Sequence, residues 1–135
     1  MSVGVVIFGL LNADATTTGL VGGRIYPDVS PQRDPRPSIV YQLISQIPNN
    51  TLGPDGASTL DICRVQIAMS ATTRAMADQI GDAVRNVLKN VFHTTVSGVY
   101  VDWCRYDSSN SYFDNNSDQD GLYVLSQDYK ISIRI

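Results

Sequence analysis

The C-terminal stretch constrains this chain most. From Tyr123 onward, Tyr123, Leu125, Tyr129, Ile131, Ile133 and Ile135 share one parity, and Ser126, Asp128, Lys130, Ser132 and Arg134 share the other. A strand points successive side chains to opposite faces, so this spacing predicts a strand over 123–135 with one apolar and one polar face. Such a face needs a layer packed over it, so the chain must build a sheet. Composition agrees. Val and Ile together number 25, against 9 Leu and 8 Ala. Their β-branched side chains fit a pleated, half-buried surface better than a helix. A chain of 135 residues, 43% of them hydrophobic, suits one domain with one core.

Two further alternating runs read as strands. Ile39, Tyr41, Leu43 and Ile47 alternate with Gln42 and Gln46 over 38–47, and Cys63, Val65, Ile67 and Met69 alternate with Arg64 and Gln66 over about 60–70. The connection from Pro48 to Ser58 is rich in turn formers, so this pair is predicted to run antiparallel. A third run, Val99, Val101 and Trp103, predicts a strand over about 97–106.

Helical spacing marks two segments. Val3, Val6, Ile7, Leu10 and Leu11 predict a helix over 3–13, with Thr16 to Gly19 as a loop after it. Met76, Ile80, Val84, Val87, Leu88 and Val91 form the apolar stripe of a helix over 73–91, capped by Thr72 or Thr73. Asp78 and Asp82 lie toward its start and Lys89 toward its end, as the macrodipole favours. The expected fold is α+β: a single mostly antiparallel or mixed sheet of about four strands, with two helices packed on one face. The expected organisation is one domain over 1–135.

Two segments fall outside this regular pattern. Pro27, Pro31, Pro35 and Pro37 are four of the six prolines. Proline lacks the amide donor and fixes φ, so 27–37 reads as an extended arm. It carries Arg33, Asp34 and Arg36, charges of both signs. Residues 107–121 read as a polar loop carrying the aromatic pair Tyr112-Phe113. Aromatic residues are enriched at interfaces. Pro31, Arg33, Asp34, Arg36, Tyr112 and Phe113 are therefore the expected partner-contact residues.

Chemistry-bearing patterns are sparse. The net charge is −3 and the ten basic residues are scattered, which argues against a grip on duplex nucleic acid. His93 is the only histidine, so a two-histidine metal site cannot form, and no G-x-S-x-G elbow is present. His93 reads as a histidine at a helix C-terminus. The Gly19–Arg24 run lacks phosphate-loop spacing, and the stretch after Asn116 lacks the bidentate acid of an EF-hand. Cys63 and Cys104 are isolated thiols that read as small buried hydrophobes. The apolar N-terminal run has no basic residue before it and is too short for the ~20 residues that span a bilayer. No catalytic, metal-binding or cofactor-binding residue is expected, and no membrane segment.

The ordered segments resemble a known family. Leu20-Val21-Gly22-Gly23-Arg24-Ile25-Tyr26-Pro27 leads through the proline-rich stretch into Pro37-Ser38-Ile39-Val40-Tyr41-Gln42. Arg64-Val65-Gln66-Ile67, a helix with Ala77-Asp78 and Ala83-Val84-Arg85, and Gly121-Leu122-Tyr123 before the terminal strand follow in order. Together these resemble the tail-completion, or tail-terminator, proteins of tailed bacteriophages and prophages. The resemblance implies a structural virion protein at the head–tail junction. It implies a homo-oligomeric ring, typically a hexamer, that caps the head-proximal end of the tail tube and stops its polymerisation. The implied partners are the tail-tube protein and the head connector or neck protein, with genome DNA passing through without specific binding. The family offers no catalytic residues to carry over. The rival readings are another head–tail connector, or a small hydrolase using His93.

Overall fold

The computed structural model describes residues 3–28, 37–49, 60–114 and 122–134. Two short helices open the chain, α1 (Val3–Ala13) and α2 (Ala15–Val21). Then come strands β1 (Ile25–Pro27), β2 (Ser38–Asn49) and β3 (Leu60–Ala71). Helix α3 (Arg74–Leu88) follows, and β4 (Phe92–Val96), β5 (Val99–Asp114) and β6 (Leu122–Arg134) complete the chain. The strands form one sheet in the order β1-β2-β3-β6-β5-β4. Among the described residues only β1 and β2 run parallel. The β2–β3 and β5–β6 hairpins join through an antiparallel β3–β6 ladder at the centre of the sheet.

The α+β class and the antiparallel character are as the periodicity implies. The inventory is larger: among the described residues there are six strands rather than four and three helices rather than two. The segment expected as a loop after α1 is α2. Asp14 starts it, because its carboxylate accepts from the Thr17 amide at 3.0 Å and the Thr17 hydroxyl at 2.7 Å. Gly22 ends it at φ 62, the left-handed conformation that glycine enters without strain. The chain turns by 87° between α1 and α2, and among the described residues no single helix is long and apolar enough to cross a membrane.

Helix α3 stops at Leu88, short of the expected 91, and Val91 buries itself outside the helix. Its N-cap is Thr73, whose hydroxyl accepts from the Met76 amide at 3.2 Å. The segment after it is β4, a strand the apolar spacing did not reveal because Phe92, His93, Thr94 and Thr95 are all exposed. Ser97 (φ 51) and Gly98 (φ 82) make the two-residue turn into β5. Two consecutive positive φ values are the mark of a hairpin turn that matches strand twist.

The core lies between the helices and one face of the sheet. Val6, Ile7 and Leu11 from α1 and Ile80, Val84 and Leu88 from α3 are fully buried against Ile39, Val65, Ile67, Met69, Ile131 and Ile133. Helix α3 comes closest to β6 at Gly81, where a Cβ would collide with the Leu125 side chain. Tyr129, 1% exposed, donates to Gln127 Oε1 at 2.7 Å, and Gln127 Nε2 donates to the Gly81 carbonyl at 3.1 Å. The opposite face of β6 is drier than alternation implies. Ser126 and Ser132 are buried there, Ser126 under Gln66, which donates to its hydroxyl at 2.7 Å.

Candidate functional site

Besides the outer edges of the short terminal strands β1 and β4, strand pairing leaves two longer stretches of sheet edge open among the described residues. Strand β1 covers β2 only at Ile39, Val40 and Tyr41, so residues 42–49 have no strand beyond them among the described residues. At the other end, β4 covers β5 only from Val99 to Trp103. Residues 104–114 of β5 are open in the same sense. An open edge presents unpaired N–H and C=O groups and is a template for another strand. Proteins usually guard such edges with charge; here Arg105, Asp107 and Asp114 lie toward the ends of the β5 stretch and none lies in the β2 stretch. No Asp, Lys or Arg lies from Gln42 to Asn49 or from Ser108 to Phe113. Pro48 fits on β2 because an edge position does not need its missing N–H.

Exposed apolar side chains cluster on these edges. Leu43, Ile44 and Ile47 on β2 are 43%, 48% and 60% exposed. Leu43 and Ile47 were expected on the buried face of a regularly alternating strand. A bulge between Leu43 and Ser45 shifts the register and sends Ile47 to the opposite face. The adjacent pair Leu43-Ile44 is the sequence signal of that break. Beside β2, Val5 and Phe8 on the outer face of α1 are also exposed. With Pro27, Tyr41 and Leu43 they line a groove of about 540 Å³.

The expected contact residues divide. Pro31, Arg33, Asp34 and Arg36 lie outside the described residues. Tyr112 and Phe113 are 57% and 50% exposed, but they sit on a strand and not on a loop. Strand β5 continues to Asp114, paired with β6 through Phe113↔Tyr123 and Asp114↔Leu122. The run of Ser, Asn and Asp looks loop-like because an edge strand with solvent beside it needs few apolar residues. Phe113 packs edge-on against Tyr123 with ring centroids 4.9 Å apart. It points to the helix-bearing face, the face where Arg74 of α3 reaches Ser111 on the same strand.

His93 is not at a helix end. It lies on β4 with φ 49, its Nδ1 3.1 Å from the Tyr100 hydroxyl and 3.5 Å from Asp102 Oδ1. The cluster is exposed on the β4–β5 hairpin. Cys63 and Cys104 are free thiols, and burial pushes them up to about 11 and about 12. A poorly ionised thiol is a weak nucleophile. Among the described residues no group of three His, Cys, Asp or Glu could hold a metal ion. On the sheet face away from the helices, Arg64 bridges Asp107 at 2.9 Å and Asp128 at 3.3 Å. Arg105 and Arg134 stack over Trp103 and Tyr100.

A small sheet with open edges and exposed apolar and aromatic side chains is the kind of surface that subunits of an assembly bury against one another. The family model described as "Tail completion protein gp17" matches residues 5–134. The chain belongs to that family, and it is a structural protein of a phage tail, located in the virion. Its fold is similar to that of a chain in a solved structure titled "Virion of native gene transfer agent (GTA) particle". The TM-score is 0.72 at 15% identity, covering 96% of this chain and 92% of that one. At that identity the likeness speaks for the fold alone. No curated protein sequence matches the chain.

Proposed function

We propose that this protein is the tail terminator. A homo-oligomeric ring, with six copies as the expected number, caps the head-proximal end of the tail tube. It halts addition of tube subunits and presents the surface that the head connector or neck protein joins. Genome DNA passes through the ring without specific recognition. Assembly takes place in the host cytoplasm before the tail meets the head. Family membership over residues 5–134 carries the reading. The exposed apolar residues on β2, β5 and α1 support it, because a virion subunit must bury such surface against neighbours. Tyr112 and Phe113, with Pro31, Arg33, Asp34 and Arg36 of the arm, serve as subunit or tube contacts. Deletion of the gene tests the reading by electron microscopy of the lysate. The expected product is abnormally long tails without heads. Filled heads joined to tails of normal length would refute it.

A further inference from the structure

We infer that copies of this chain join by continuing one sheet into the next, the open edge of β2 receiving the open edge of β5 from the neighbouring copy. The inference rests on the homo-oligomer reading above and names the contact that makes it. Five features of the fold lead to it.

Both open stretches are long enough for a ladder: residues 42–49 on β2, where Pro48 alone cannot donate, and 104–114 on β5. The β2 stretch carries no charge, and the β5 stretch carries none from Ser108 to Phe113, its charges Arg105, Asp107 and Asp114 lying toward its ends. Their directions fit. Strands β2, β3, β6 and β5 are successively antiparallel, so β2 and β5 run opposite ways in one chain. A neighbour related by rotation about an axis inclined to the strands by the ~35–45° tilt of a closed barrel therefore offers β5 antiparallel to β2, the stronger ladder.

Their heights also fit a closed assembly. Leu43, Val65, Tyr129 and Tyr106 stand level across the sheet. The open part of β2 lies mainly on one side of that row and the open part of β5 mainly on the other. Joining them staggers successive copies along the strand direction. Tilted strands in a closed barrel require a stagger of this kind. The contact uses different patches on the two partners, so it is head-to-tail and closes into a ring when the rotation permits.

The side chains fit as well. Full antiparallel overlap places the end of β5, at Tyr112 and Phe113, beside Gln42 and Leu43. That is the mouth of the groove formed by Val5, Phe8, Pro27 and Tyr41. The groove opens on the helix-bearing face, the face to which Phe113 already points. An exposed aromatic ring on one edge thus meets an exposed apolar groove on the other.

The test places one cysteine on each edge, Ile44→Cys and Asn110→Cys, in the same chain. Assembled particles are treated with a short flexible bis-maleimide and separated by denaturing electrophoresis. The native pair Cys63 and Cys104 provides the background control. The expected result is a ladder of multiples of this chain, absent when either new cysteine is omitted. A conjugate with a chain of different mass would mean that the edge takes the tube or neck protein, and would overturn the inference. Normal particles with no ladder would also overturn it. A second variant, Leu43→Lys with Ile47→Lys added to the double-cysteine chain, is expected to abolish the ladder with circular dichroism unchanged, whereas Asn86→Lys on the exposed face of α3 is not. Ladders that persist in the lysine variant would refute the edge contact. The terminator reading fails separately, if tails keep their length without the protein. The cross-link is then read on the concentrated purified protein, where absence of the ladder again refutes the pairing.

Discussion

The buried chain from Tyr129 through Gln127 to Gly81 supports a quantitative prediction. Tyr129 is 1% exposed and Gln127 is 5% exposed, so neither has water as an alternative partner. Gln127→Leu removes the only acceptor shown for the Tyr129 hydroxyl, the Gln127 Oε1 at 2.7 Å. An orphaned buried hydroxyl costs about 1–3 kcal/mol. The Gly81 carbonyl loses a donor at 3.1 Å but lies inside α3, where a helical amide still serves it. Tyr129→Phe alone orphans the glutamine oxygen instead and costs a similar amount. The double variant leaves neither group unpaired and has apolar contacts throughout, so it is expected within about 1 kcal/mol of the unaltered protein. The two losses should therefore fail to add, with a coupling of at least about 1 kcal/mol and about 3 kcal/mol at mid-range, as for residues in one network. Urea unfolding of the four proteins measures it, with the slope checked for constancy. Additive losses in the double variant would refute the claim that this pair is a single hydrogen-bonded unit.

Other perturbations have clear directions. Val84→Asp puts an unpaired carboxylate where the side chain is fully buried, costing several kcal/mol of the ~5–15 kcal/mol that holds a domain together. The variant should be unfolded by circular dichroism, and wild-type melting would show that Val84 is not core. Burial raises the Cys63 and Cys104 thiols from 9.0 to about 11 and about 12. Folding therefore favours their protonated forms. That stabilisation is complete below about pH 9 and is lost as pH rises through about 11 to 12. Unfolding midpoints should fall over this alkaline window, and replacing both cysteines with Ala should flatten the fall. A Gly/Ser linker of equal length in place of residues 28–36 should leave circular dichroism intact and impair joining to tubes. A ring that still terminates tails would show that the arm is only a connector.

Local periodicity determined much of this protein. The strand over 123–135, the paired runs near 38–47 and 60–70, and both apolar helical stripes follow from which residues shun water along a short stretch of chain. The proline cluster and the family resemblance were equally plain in the residues. Other features depended on neighbours distant in sequence. Strand β4 exposes four of its five residues and exists because β5 supplies its ladder. The stretch from Asp107 to Asp114 has a loop's composition, yet pairing with β6 holds it extended. The bulge after Leu43 moves Ile47 across the sheet, which a strict two-residue period cannot foresee. His93 lies on β4 because α3 ends at Leu88. Periodicity records which side of an element meets the core. It carries no information on which strand lies beside which, and that arrangement alone decides where the sheet stops and its edges remain open.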